Sequence, residues 1–193
     1  MLGIMEAQLK TELTRKIEVP KDVAVTVKGK LVTVKGPKGE MSRDFNNPKY
    51  NRSVSIGESD GIEIKHEDGK TFKAIAGTIE SHIKNMLLGV TIGYEYRLKI
   101  VYLHFPITVA VKDGEIHIKN FLGEKGARIA RITNGCDVKV EKDEIVLTGI
   151  NIETLGQTAQ RIEQACRLSG RDRRVFQDGV FLASRRLQNG KPL

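Results

Sequence analysis

Val23, Val25 and Val27 stand at every second position, the period of a strand with one buried face. Lys28-Gly29-Lys30 supplies a turn, and Leu31–Lys35 returns as a second strand. Gly36-Pro37-Lys38-Gly39 turns the chain again, and Met41–Phe45 continues the sheet. Asn46–Arg52 reads as a polar loop. Val54–Ile56 and Ile62–Lys65 read as two further strands, with another turn over His66–Gly69. The period then changes. Ile75, Ile79, Ile83, Met86, Leu87 and Val90 recur at helical spacing, so one face of a helix is apolar. Gly89 is a candidate stop for that helix, with Gly93 beyond it.

The same order follows a second time. Tyr94–Tyr102 alternates, with Tyr96, Leu98, Ile100 and Tyr102 on one face and Arg97 and Lys99 on the other. Val109–Val111 and Ile116–Ile118 form a hairpin about Asp113-Gly114. Val138–Glu141 and Glu144–Thr148 form another pair. Asn151 is placed to cap a helix whose buried stripe is Leu155, Ala159, Ile162 and Cys166. The echo extends to residues. Pro20 matches Pro106, Val23 and Val25 match Val109 and Val111, and Gly29 matches Gly114. GPKG at Gly36–Gly39 matches GEKG at Gly123–Gly126, with two extra residues before the second. Two copies argue for two similar modules and against a solenoid, which needs at least three.

The expected fold is therefore α+β. It has two duplicated modules, each an antiparallel β-sheet covered on one face by one α-helix, plus a basic C-terminal tail. The expected boundaries are a lead-in over 1–16, modules over 17–92 and 93–169, and a tail over 170–193. The lead-in reads as mildly helical or loose, and the tail as a largely extended basic segment, with Val175-Phe176 and Val180–Leu182 able to pin parts of it.

Composition narrows the partners. Among 193 residues the formal net charge is +8, which favours a polyanion, nucleic acid before an acidic membrane surface. Cys136 and Cys166 lack CxxC spacing, so free thiols and a reducing cytosol are expected. No apolar run is long enough to span a membrane, and the first residues lack the apolar core of a signal peptide.

The candidate chemistry is ionic. Both glycine turns fit GxxG, which lets a backbone approach phosphates; an ordinary tight turn is the better reading of the first, and RNA contact the better reading of the second. The second is richer in cations: Lys119, Lys125, Arg128 and Arg131 flank it, and Asn120 adds a hydrogen-bonding group. Arg167 lies at the end of the second helix, where it also suits the helix dipole. Arg171, Arg173 and Arg174 open the tail. Low aromatic content, 5%, argues against a platform that stacks single strands. No P-loop, GxGxxG, HExxH or GxSxG occurs, and the four histidines are scattered. No catalytic residue, metal site, cofactor or small-molecule substrate is expected. The rival readings are a two-module protein-interaction adaptor, basic only for solubility, and an RNA-modifying enzyme.

Several blocks resemble a known family. They are VKGPKGE at Val34–Glu40, the stretch His82–Pro106, NFLGEKGAR at Asn120–Arg128, GQTAQRIEQACR at Gly156–Arg167 and GRDRRVFQDGVF at Gly170–Phe181. The chain from Ile17 to Leu182 resembles the universal large-subunit ribosomal protein L-six family (L-nine in eukaryotic naming), in its archaeal and eukaryotic branch. It departs at Gly126–Ile129, where that branch is often more basic. The resemblance implies a structural constituent of the large ribosomal subunit in the cytoplasm. It implies an rRNA binder beside the sarcin–ricin loop and the base of the factor-binding stalk, with ribosomal proteins as neighbours. It points to Asn120, Lys125, Arg128 and the arginines of Gly170–Arg174 as the grip, and to the second module as the main binder.

Overall fold

The computed structural model describes residues 12–48, 53–59, 61–172 and 174–193. Arg173, the first eleven residues and part of the Asn46–Arg52 loop lie outside them. The chain divides into two compact units, Met1–Thr91 and Ile92–Leu193.

The first unit holds two three-stranded antiparallel sheets where one was expected. β2 (Ala24–Lys28), β3 (Leu31–Gly36) and β4 (Gly39–Asp44) follow one another as a meander. β1 (Glu12–Ile17), β6 (Gly61–Glu67) and β5 (Val54–Ser59) form the other, with β6 central. The second sheet corrects the reading of the lead-in. Glu12–Ile17 is a strand whose Ile17 is buried and pairs with Ile62. The expected turn over His66–Gly69 also starts later, because His66 is a buried strand residue. α1 (Lys70–Thr91) packs on both sheets through Ala76, Ile79, Ile83, Met86, Leu87 and Val90. It runs through Gly89 and stops before Gly93, whose φ of 77° lies in the left-handed region.

The second unit repeats this plan. β8 (Thr108–Lys112), β9 (Glu115–Lys119) and β10 (Arg128–Arg131) form a meander. β7 (Tyr94–Val101), β11 (Cys136–Val140) and β12 (Glu144–Gly149) belong to a second sheet. α2 (Ile152–Ala165) covers the core through Leu155, Ala159 and Ile162. Asn151 caps it, its side-chain oxygen accepting the Glu153 N–H at 2.9 Å. The unit adds one strand. β13 (Gly179–Leu187) pairs with the free edge of β7, giving the order β11-β12-β7-β13. This corrects the extended tail. Val180 and Leu187 are buried in the second core, and β13 satisfies backbone groups that β7 would otherwise leave open.

Strand registers also correct the repeat alignment. Phe45 N–H donates to Lys30 carbonyl at 3.0 Å, and Ile132 N–H donates to Gly114 carbonyl at 2.9 Å. Lys30, and not Gly29, is therefore the counterpart of Gly114. Val32 and Val34, both fully buried, correspond to Ile116 and Ile118. Six residues separate Val34 from its partner Met41, and nine separate Ile118 from its partner Arg128. The second copy is thus three residues longer at this turn, one more than the sequence match suggests.

Those extra residues change what the turn does. In the first unit, Gly36 sits against the end of α1: a Cβ there would lie 2.8 Å from Val90 Cγ2. Lys38 N–H donates to Val90 carbonyl at 3.0 Å and so caps the helix. The GPKG turn is a brace for α1. In the second unit the backbone swings away, and a side chain takes over the brace.

Candidate nucleic-acid interface

The longer loop of the second unit runs from Asn120 to Ala127. Asn120 and Leu122 adopt φ of 59° and 52°, and Gly123 follows at 77°. The left-handed region costs a non-glycine residue about 1–2 kcal/mol, so contacts must hold the loop there. Phe121 is fully buried beneath it. Asn120 Nδ2 donates to Pro106 carbonyl at 3.0 Å, and Glu124 N–H donates to Phe121 carbonyl at 3.0 Å. The loop is fixed by its own anchors.

Arg128 is the centre of the surface. Its Nε and Nη2 donate to the two oxygens of Glu124 at 2.8 and 2.6 Å. Its Nη1 donates to the carbonyls of Ala165 and Arg167 at 2.9 and 3.0 Å, just where α2 leaves acceptors open. The guanidinium also lies over the Phe121 ring, 4.2 Å from its centroid. Four of its five N–H donors are therefore engaged inside the fold. The hydrogen bonds from Arg128 hold the Glu124 carboxyl below the usual carboxylate range, and the hydrogen-bonded Glu124 raises Arg128. Arg128 builds the surface more than it extends from it.

The other cations stand around this clamp. Lys119, Lys125 and Arg167 are exposed. Arg171 lies 4.9 Å from the Phe176 ring centroid and adds its charge to the field on Glu124. Arg174 follows an Asx turn, its N–H donating to Asp172 Oδ1 at 2.9 Å. Arg131 stands apart. It pairs with Glu115 at the far end of the hairpin, roughly 10 Å along the strand from Arg128. Its exposed side chain lies 3.3 Å from a Glu115 oxygen.

The sequence reading missed the fourth segment of this surface, Leu103–Pro106. Asp178 is buried, and its carboxylate accepts the Leu103 N–H at 3.0 Å and the His104 N–H at 3.4 Å. The His104 ring lies 5.1 Å from that of Phe176. The Phe105 ring packs by Gly123, yet the residue stays 46% exposed, and Leu103 is 66% exposed. An apolar run continuing past the end of β7, unbroken by alternation, was the available signal. Contacts thus join Leu103–Pro106, Asn120–Arg128, Ala165–Arg167 and Arg171–Asp178 into one basic surface edged with apolar side chains.

Neither GxxG turn joins two helices, as a KH loop would: each connects strands of a meander. Burial, the largest influence, pushes the Cys166 thiol up to about 11 and also raises Cys136. Among the described residues no group of three or more His, Cys, Asp or Glu side chains is placed to hold a metal, and no helix is long and apolar enough to cross a membrane.

The sequence comparisons agree with the duplicated architecture. The profile of the family described as Ribosomal protein L6 matches twice, over residues 19–93 and 105–179. The large ribosomal subunit protein uL6 of Methanocella arvoryzae is 52% identical over 178 residues, covering 90% of this chain and 98% of that protein. The uL6 of Methanothrix thermoacetophila is 45% identical, over 91% of this chain and 98% of its own length. That of Saccharolobus solfataricus is 45% identical, over 88% and 93%. Each match spans the meander and the helix of one unit, and the chain belongs to the ribosomal protein L6 family, whose members are structural and not enzymes.

Proposed function

We propose that the protein is a structural constituent of the large ribosomal subunit in the cytoplasm, where its second unit binds large-subunit rRNA. The observation that carries this reading is the gathering of Lys119, Lys125, Arg167 and Arg171 around the Arg128 clamp, with the exposed Arg174 in the segment that follows. Lysines and arginines neutralise phosphates and supply affinity; the fixed loop supplies register on a folded RNA. An RNA helix is read largely through its shape, 2′-hydroxyls and phosphates, which suits a rigid basic surface. The family likeness supports a location beside the sarcin–ricin loop, at the base of the factor-binding stalk, with ribosomal proteins as neighbours. The first unit, whose glycine turn is occupied in bracing α1, contributes less to RNA affinity.

The test is a titration of purified protein into labelled large-subunit rRNA, with excess unrelated structured RNA present. Binding that survives the competitor is expected. Arg171→Glu combined with Arg174→Glu weakens it more than Lys38→Glu does. Equal losses would remove the assignment to the second unit, and binding erased by the competitor would favour a protein-interaction adaptor.

A further inference from the structure

A cleft of about 850 Å³ opens between α2 and the chain leading into β13, beside the basic surface. Its size falls within the range of about 300–1,000 Å³ common for small-ligand sites. Gln160 and Gln164 line it from α2, one turn apart, and Gln177 lines it from the opposite side. Arg167 lines it where it meets the basic surface, and Phe176 and Phe181 contribute rings. All three glutamines are exposed. The Phe181 ring lies against Gly179, where a Cβ would come within 2.8 Å of Cζ, so the glycine makes room for the ring.

The acidic groups in the wall are committed to the fold. Glu163 Oε1 accepts the Leu182 N–H at 2.7 Å. The Asp178 carboxylate is buried and holds Leu103 and His104. Phe176 is taken up by His104 and Arg171, so a cation at the rim, three amides and the Phe181 ring remain. An amide offers a donor and an acceptor side by side, the pairing that a base edge presents. Bases free of a helix are held in proteins by stacking on aromatic rings and by hydrogen bonds to their edges.

We propose that this cleft receives one unpaired base of the bound RNA, its edge met by Gln160, Gln164 and Gln177 and its face by Phe181. The proposal rests on the RNA-binding reading above and gives it a second kind of contact: the basic surface holds phosphates, and the cleft selects a position where the RNA is not paired.

The experiment uses the full chain and the large-subunit rRNA of Methanocella arvoryzae. Hydroxyl radicals report backbone contacts. Dimethyl sulfate and carbodiimide together report the Watson–Crick edges of the four bases. The wild-type complex is expected to show a backbone footprint containing at least one unpaired base protected at its edge. Gln160→Leu with Gln164→Leu is expected to keep the backbone footprint, lose that protection and weaken binding by on the order of tenfold. Phe181→Ala gives a similar loss by a different contact. Both glutamines are solvent-facing helix residues, so an unchanged thermal melt will confirm the fold. An identical base-protection pattern in wild type and variants, or a footprint with no protected unpaired base, overturns the cleft assignment and leaves the basic surface standing. Absence of any backbone footprint overturns the RNA-binding reading, and the cleft assignment with it.

Discussion

Arg128 donates from Nη1 to the carbonyl of Arg167 at 3.0 Å, so one cation of the basic surface sets the backbone position of another. The same nitrogen reaches Ala165, and Glu124 holds the opposite side of the guanidinium. This arrangement separates the cations that build the surface from those that project from it.

Replacing Arg128 with alanine leaves the Ala165 and Arg167 carbonyls without this partner. We expect a loss of about 2 kcal/mol in urea unfolding of the second unit. Lysine will not restore it, because one ammonium cannot span Glu124 and two carbonyls as the planar fork does.

Mutations at projecting cations behave differently. Lys125→Ala and Arg167→Ala should leave the unfolding midpoint nearly unchanged. Each should reduce the slope of log affinity against log salt for rRNA by about one. A stability loss at Lys125 as large as that at Arg128 would contradict the division of roles.

Glu124 gives the clamp a pH signature. Its folded carboxyl titrates below its unfolded value, which is about 4.3. Its contribution is therefore complete above that value and disappears as pH falls through the lower, folded value. Wild type should be more stable than Glu124→Gln at pH 7, and the two should converge under acid. The pair is partly exposed, so the gap is small and shrinks in salt.

Cys166 acts at the other end of the scale. Its folded thiol is pushed up to about 11, against about 8.5 for a free cysteine. Stability from this group is complete below the unfolded value and is lost as pH rises through the folded one. Unfolding free energy should fall between about pH 8.5 and 11, and Cys166→Ala should flatten part of that slope. Iodoacetamide should label Cys166 readily only once the chain is unfolded, which mass spectrometry will show.

Each unit has its own core, with no residue shared between the two apolar clusters. Ile83→Ala should cost the first unit about 2–5 kcal/mol, and Ile162→Ala the second unit a similar amount. Hydrogen exchange should assign each loss to its own half of the chain.

Much of this fold is legible in the sequence because its signals are local. The stripe Ile79, Ile83, Met86 and Val90 specifies α1, and Asn151 marks the start of α2. The paired valines and isoleucines mark the meander hairpins. What stayed hidden depends on distant partners. Nothing within Glu12–Ile17 announces that it pairs with β6, so the division into two sheets was not visible. β13 is hidden by an irregularity. A register shift between Leu182 and Ser184 breaks its alternation, so Val180 and Leu187 fall inside on opposite parities and the arginines read as a tail. In the candidate site the cations were countable, yet their division was not. Arg128 differs from Lys125 through the partners that folding brings to it: Glu124, the Phe121 ring and the carbonyls of Ala165 and Arg167.

The position of β13 also bears on how the molecule is made. The buried core of the first unit ends at Val90, so it can collapse while synthesis continues. The second cannot complete its sheet so early, because Tyr94, its earliest strand residue, waits for Leu187. Arg167, Arg171 and Arg174 leave the ribosome before the strand that closes this sheet. During that interval a nascent chain carries its anion-seeking residues on an unfinished scaffold. Closure of β13 is the last topological event, and it converts a loose polycation into a shaped one.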